Sequence, residues 1–280
     1  MRCEDWEAEI LPLHGANLAL LKKGSLSVLR TPKSLKALSE APVLYGNPIL
    51  FPPNRTKDGR FQFMGKDYLL PINEPKFRNH LHGSIYNAPF EVTSVTGGST
   101  VCCLHNSGEW FPFPFTLSVS FSLDVKGLIQ HIEILNSGDT PMPVLLGFHT
   151  TFNAPELFSV PIGRRWETDD RYIPTSKLCP LNEQELLYKT GCHPEGKIIT
   201  GYYTAEGLVA RIGRVLYEAS AGFTQWVLFN QGGEKGLLCV EPQSGGVNGL
   251  NIPGGHSVLP AGKTACFELR FTVDDSIKGD

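Results

Sequence analysis

Three short stretches of this chain pair residue type with spacing in a way that suits proton-transfer chemistry. "FRNHLHGS" (Phe77–Ser84) sets His80 and His82 one residue apart, and "VLLGFHTTFNAP" (Val144–Pro155) places His149 inside an apolar run. "GLLCVEPQSGG" (Gly236–Gly246) runs Leu237, Leu238, Cys239 and Val240 straight into Glu241. A carboxylate ending a buried-looking strand is desolvated, which raises its pKa from about 4.3 toward the range of a general base. The alternative is a wetted strand-end glutamate, or one paired with an arginine.

Metal chemistry is the competing reading of the histidines. In a strand, His80 and His82 would share a face and could offer two imidazoles to one ion. A catalytic zinc or iron site needs a third ligand, often a carboxylate. No acidic residue follows His82 until Glu91, so no metal site is expected. Arg55, in the turn-rich "LFPPNRTKDG" (Leu50–Gly59), reads as a surface residue or as a fork for sugar hydroxyls or a carboxylate. The chain contains neither a G-x-x-x-x-G-K-[ST] phosphate loop nor a G-x-S-x-G nucleophile elbow.

The elements that would carry these residues are mostly strands. "TLSVSFSLD" (Thr116–Asp124) alternates Leu117, Val119, Phe121 and Leu123 with Thr116, Ser118, Ser120 and Ser122, the pattern of a half-buried strand. "GLIQHIEILN" (Gly127–Asn136) follows after a short turn, and "CFELRFTV" (Cys266–Val273) alternates again. "GRFQFMGKDYLL" (Gly59–Leu70) predicts a hairpin around Met64-Gly65-Lys66. Helix signals are few. "TPKSLKALSE" (Thr31–Glu40) offers Thr31 as a cap and Pro32 at the first helical position, and "NEQELLYK" (Asn182–Lys189) predicts a second short helix. With 29 glycines and 21 prolines in 280 residues, turns are frequent. The prediction is an all-β fold, a large β-sandwich with one or two short helices, formed by residues 1–280 as a single domain.

Composition narrows the partners. A net charge of −3 with scattered Lys and Arg argues against nucleic acid. The acidic start "MRCEDWEAEILPLHG" lacks the basic end and apolar run of a signal peptide, and no apolar stretch is long enough to span a bilayer. A cytoplasmic protein without membrane contact is expected. Seven cysteines without C-x-x-C spacing predict buried, reduced thiols rather than disulfides or a zinc knuckle.

Taken in order, these segments resemble the aldose 1-epimerase (galactose mutarotase) family. The family's N-x-L-H-G-G is met by Asn79, Leu81, His82 and Gly83, with Ser84 in place of the second glycine. Its H-x-Y-F-N is met by His149, Phe152 and Asn153, with Thr151 where tyrosine is usual. Its N-R pair is met by Asn54-Arg55, and its base by Glu241 in "VEPQSG". "WFPFPFTLSVSFSL" (Trp110–Leu123), "NSGDTPMP" and "LPAGKTACFEL" are similar as well, so the likeness runs from "GNPILFPP" to the C-terminus.

The resemblance implies a β-supersandwich with a sugar in an open groove and cofactor-free interconversion of α and β anomers of an aldose. Glu241 would be the base at the anomeric hydroxyl, His149 the acid at the ring oxygen, and His82 a hydrogen-bonding partner on the ring-oxygen side. Asn54, Arg55, Asn79 and Gln225 would bind substrate, with no metal and no cofactor. The partner would be a small-molecule sugar, and the chain a monomer or homodimer. His149 and Glu241 are expected on opposite sides of a space the size of a pyranose ring. His80 falls at a position the motif leaves variable.

Galactose-type members carry a sugar-binding aspartate ahead of the base, whereas no aspartate occurs here from Arg171 to Val273. Two alternatives remain at this point. A hexose-6-phosphate 1-epimerase would need cations such as Arg78 or Arg164-Arg165 in its pocket. A non-catalytic carbohydrate-binding protein would stack sugars on platforms such as Trp110 and Trp226.

Overall fold

The alternating apolar residues of the long strands can only be buried together if the strands pair into sheets that face one another. The structure, a computed structural model, describes residues 1–233 and 235–276. Two antiparallel eight-stranded sheets dominate it. The first carries Glu91–Val95, Ser99–Asn106, Phe115–Asp124, Gly127–Asn136, Thr264–Val273, Val215–Ala219, Val209–Ile212 and Phe158–Ser159, in that spatial order. The second runs Pro174–Cys179, Ile162–Thr168, Thr200–Ala205, Gln225–Phe229, Leu237–Gln243, Gly147–Phe148 and Ile49–Leu50, and Thr151–Asn153 also pairs with Leu237–Gln243. A four-stranded N-terminal sheet covers Arg2–Ser27. No helix among the described residues is long and apolar enough to cross a membrane.

The period-2 readings match the burial. Leu117, Val119, Phe121 and Leu123 are buried while Ser122 is exposed, and Phe267, Leu269 and Phe271 are buried on the neighbouring strand. Between the sheets, Tyr217 stacks on Phe271 and meets Phe152 and Trp226 edge-on. Burial of such rings is the main favourable term holding the sheets together. One face of the second sheet is therefore committed to the core through Tyr203, Trp226, Leu228 and Val240. Its other face is left for the site.

The turns follow local chemistry. Phe63 pairs with Lys66, so the predicted hairpin closes on Met64 and Gly65, both with positive φ, as a two-residue turn requires. The first helix, Leu35–Glu40, starts later than the sequence suggests. Its cap is Ser34, whose side chain accepts from the Ala37 amide, and Thr31-Pro32 stay outside. Ser34 is an equally good cap one turn further on, and its own backbone is extended, as a cap requires. The second helix, Glu183–Thr190, opens with a full capping box between Asn182 and Glu185. The thiol expectation holds for Cys102, Cys103, Cys192 and Cys239, while Cys266 is exposed and Cys3 and Cys179 are half-buried. All seven are free.

The segment that opened the argument is a strand that ends abruptly. Asn79–Leu81 pairs with Arg55–Lys57, and then His82 and Gly83 both take positive φ. At Gly83 a Cβ would lie 2.1 Å from the Phe51 carbonyl oxygen, with no flexible neighbour to yield. Only glycine fits that approach. Gly83→Ala is expected to destabilise the fold by about 2 kcal/mol or more, read as a lower midpoint in urea unfolding. An unchanged midpoint would show that the turn relaxes freely.

Candidate functional site

Register builds the site. The Leu237–Gln243 strand is flanked on one side by two short strands separated by a break. Gly147 pairs with Gln243, and Thr151 pairs with Cys239. His149 lies midway between those two residues, so it falls directly across from Glu241. On the other flank Val227 pairs with Glu241, and Tyr202 pairs with Val227. Directly opposed residues put their side chains on the same sheet face. Tyr202, Val227, Glu241 and His149 thus form one row across the sheet, on the face turned away from the core.

A cavity of about 300 Å³ covers this row. That is a size suited to a small ligand. Besides the four row residues it is lined by Asn54, Arg55, His82 and Gln231 on the polar side, and by Val43, Leu44, Leu81, Tyr172 and Phe229 on the apolar side. Segments distant in sequence, from Val43 to Glu241, converge there.

His149 Nε2 lies 3.4 Å from Glu241 Oε1, and the two side chains are only 5% and 2% exposed. Glu241 sits inside the strand rather than at its end, which continues through Pro242 and Gln243. Burial pushes its carboxyl up to about 8, opposed by a hydrogen bond from Gln243 Nε2 at 3.2 Å and by the charge of Arg55. Burial also drives His149 down to about 4. The pair therefore holds a single proton between these values, and at rest it sits on Glu241 beside a neutral imidazole. The expected separation by a pyranose ring is not what the structure has. The physical reason is register: His149 stands directly across from Glu241 on the neighbouring strand, and opposed side chains on one sheet face are close neighbours.

His82 closes the site from the loop layer. Its ring centroid is 5.2 Å from that of His149, edge to face. The Asn54 amide donates to His82 Nδ1 at 3.2 Å, and the His82 amide donates to the Asn54 carbonyl at 2.9 Å. Both residues have positive φ, so two left-handed turns clasp each other. An accepting Nδ1 places the proton of the neutral ring on Nε2. Burial, then the charges of His149 and Arg55, hold His82 well below the usual imidazole range. It is a neutral hydrogen-bond donor. His80 diverges because the pleat ends between the two, and its Nδ1 meets the Pro71 carbonyl at 2.7 Å, outside the cavity.

Arg55 lines the cavity but is heavily committed. Nε and Nη2 donate to the two carboxylate oxygens of Glu74 at 2.8 and 2.6 Å, and Nη1 donates to the Tyr202 hydroxyl at 2.8 Å. Its guanidinium also stacks over Tyr172, 4.7 Å from the ring centroid. Burial opposes its charge, but the Glu74 hydrogen bonds and the neighbouring Tyr202 and Glu74 outweigh that and hold it above its ordinary value. Tyr202, which accepts from Arg55, keeps its own O–H free to donate. Burial pushes that phenol up to about 12.

Two predicted binding residues stand elsewhere. Asn79 is fully buried behind Arg55, where its Nδ2 donates to Glu74 Oε2 at 3.1 Å and to the Arg171 carbonyl at 3.1 Å. Gln225 shares the sheet face of Val227 but sits two residues further along. Its Oε1 accepts from Trp166 Nε1 at 2.8 Å, away from the cavity. Trp226 is buried with its indole on the Gly207 carbonyl, so it is not a stacking platform, and Trp110 packs against the core. Arg164 donates to the Leu178 carbonyl, Arg165 pairs with Glu185, and neither they nor Arg78 line the cavity. Among the described residues, the group of histidine, cysteine and carboxylate side chains near enough to share an ion is His131, Glu133 and Cys266 on the first sheet, not the His80/His82 pair.

Sequence reasoning missed Tyr202 and Glu74. "TGYYTA" places Tyr202 and Tyr203 on opposite faces, but only the pairing with Val227 tells which one reaches the site.

The fold and the site together define a two-sheet β-sandwich with a buried histidine–carboxyl pair in its cavity. The chain belongs to the aldose 1-epimerase family, whose profile matches residues 7–203. A galactose mutarotase-like protein of Clostridium acetobutylicum superposes with a TM-score of 0.89 at 26% identity, covering 96% of this chain and 93% of that one. The aldose epimerase homologue of C. elegans gives 0.80 at 16% identity, with 97% of each chain covered. The galactose 1-epimerase of Lactobacillus acidophilus NCFM gives 0.79 at 14% identity, covering 96% and 91%. These last two likenesses speak for the fold alone. The uncharacterized protein YihR of Escherichia coli K12 is 28% identical over 146 residues, which span 49% of this chain and 47% of that protein.

The charge state of the pair has a stability signature. A carboxyl raised in the fold contributes stability that is full below its ordinary pKa and is lost as pH rises through the folded value of about 8. His149, lowered in the fold, acts in the opposite sense and only below the ordinary imidazole value. Between pH 6.5 and 8 the stability is therefore expected to fall by roughly 1 kcal/mol per pH unit from Glu241. Glu241→Gln removes that slope in urea titrations. Equal slopes in both proteins would mean the carboxyl is ionised in the fold.

Proposed function

We propose that this protein is an aldose 1-epimerase that interconverts the α and β anomers of a sugar by acid/base ring opening and closure. The observation that carries the reading is the His149–Glu241 contact at 3.4 Å, buried and holding one proton. Mutarotation needs one acid and one base at a single carbon, with no net change in protonation.

A sugar hydroxyl donating to Glu241 stabilises its carboxylate and moves the resting proton to His149. Glu241 then takes the proton of the C1 hydroxyl while the His149 imidazolium protonates the ring oxygen. The C1–O bond of the ring breaks as the C1 carbonyl forms. After rotation about C1–C2 the ring hydroxyl attacks the other face of the carbonyl. It returns its proton to His149, and Glu241 gives its proton to the new anomeric oxygen. Atoms and charges are restored. His82 Nε2–H supports the ring-oxygen side, and the Tyr202 hydroxyl is placed to donate to a sugar oxygen. The apolar wall of Val43, Leu44, Leu81 and Phe229 suits the C–H face of a pyranose.

Polarimetry on freshly dissolved α-D-glucose and α-D-galactose tests the reading. Relaxation is expected to run faster than buffer, and His149→Asn or Glu241→Gln to slow it about 10²–10⁴-fold. Because the competent state holds one proton, kcat/KM should be bell-shaped. It should fall below about 4, where both groups are protonated, and above about 8, where neither is. No enhancement on any free aldose would end this proposal, and an alkaline limb below pH 7 would refute the assigned proton inventory.

A further inference from the structure

The cavity has one guanidinium, and it is already neutralised. Arg55 is the only Arg or Lys among the lining residues. Glu74 grips it through both carboxylate oxygens, and the two side chains are 14% and 13% exposed. Such fork-to-fork pairing fixes the guanidinium plane and cancels its charge locally. Of the three N–H groups that remain, Nη1 gives one to the Tyr202 hydroxyl and one, at 3.5 Å, to Asn54 Oδ1.

Glu74 is itself held in place. Asn79 Nδ2 donates to Glu74 Oε2, the Glu74 amide donates to the Asn79 carbonyl, and Arg171 Nη2 donates to Asn79 Oδ1 at 3.2 Å. Arg171, a second cation behind this layer, is spent on Asp58 and on the carbonyls of Phe77 and Arg78. The ion pair is thus braced by a second layer and cannot open without breaking several hydrogen bonds.

We propose that Glu74 is a specificity-determining residue that reserves this cavity for uncharged aldoses, by withholding the Arg55 guanidinium from any carboxylate, phosphate or sulfonate on the sugar. The inference rests on the reading of the site as a mutarotase. An anionic sugar entering the cavity must shed its water and finds no free cation in exchange. It also faces the Glu74 carboxylate behind Arg55. A neutral sugar pays no such cost and still finds the Tyr202 hydroxyl, His82 Nε2–H and the Asn54 side chain. Arg55 acts here as a rigid spacer that aims Tyr202.

The test compares D-glucose with D-glucuronic acid, which differ at C6 in a hydroxymethyl and a carboxylate, by polarimetry at pH 7. The wild-type protein is expected to accelerate glucose at least 100-fold better in kcat/KM, and glucuronate should not inhibit glucose turnover at concentrations where glucose saturates. Glu74→Gln frees the guanidinium and should shrink the ratio tenfold or more, chiefly through a lower KM for glucuronate. Added KCl should erase that gain. Glu74→Asp keeps the charge and should keep the wild-type preference.

If wild type relaxes glucuronate as well as glucose, the inference is wrong. It is also wrong if Glu74→Gln slows both sugars equally, because Glu74 is then only structural. Should Glu74→Gln fail to fold, the wild-type inhibition measurement decides alone. Failure on glucose itself would instead remove the mutarotase reading beneath it, so the two failures are told apart.

Discussion

The site depends on one constraint: a carboxyl group is held inside a β-sheet with an imidazole, not an ammonium or guanidinium, as its contact. Water is excluded from both, so each is pushed toward its neutral form. Two groups whose ordinary pKa values would favour an ion pair are inverted into an acid above neutrality and a base below it. The inversion comes from place alone. It needs the strand Leu237–Gln243 to be covered on both faces, by the inter-sheet core on one side and the loop layer on the other, and all seven of its residues are buried.

The architecture divides the labour between rigid and local parts. The row Tyr202, Val227, Glu241 and His149 is set by strand pairing, where a shift of one residue would turn every side chain to the core. The break between Gly147–Phe148 and Thr151–Asn153 is what lets His149 stand in line with the row without being a ladder residue. Opposite, Asn54 and His82 are fixed by their own backbone strain and by two reciprocal hydrogen bonds. Positive φ at two non-glycine residues costs stability that the surrounding Phe51–Gly83 contact must hold. In return His82 has one tautomer and one orientation.

Much of this was legible in the sequence, and the limit is physical. Alternation in Thr116–Asp124 and Cys266–Val273 identified strands because burial acts on every second residue. His149 and Glu241 stood out because polar residues in apolar runs are costly. His82 stood out through its neighbours Asn79 and Gly83. What stayed hidden was everything that depends on long-range register. Glu74 pairs with Arg55 and Tyr202 bonds to it across 147 positions, and no local pattern encodes either contact. Gln225 was drawn to the site by its place near the base, yet a two-residue step along the strand carried it to Trp166. The family's missing aspartate has no aspartate in its stead at the cavity. Its acidic groups are Glu241 in the wall and Glu74 behind Arg55.

That replacement ties the loop layer back to the buried carboxyl. An unpaired guanidinium beside the cavity would stabilise the Glu241 carboxylate and draw its pKa down toward the ordinary value. The charge of Arg55 does act in that direction, but it ranks below burial and the Gln243 hydrogen bond. Glu74 keeps it small by cancelling the charge at its source. The same ion pair that leaves no free cation for an anionic sugar therefore also preserves the spread between His149 and Glu241. On the proposed reading, charge selection and acid/base tuning are two consequences of one neutralised arginine, and no other Arg or Lys lines the cavity to separate them.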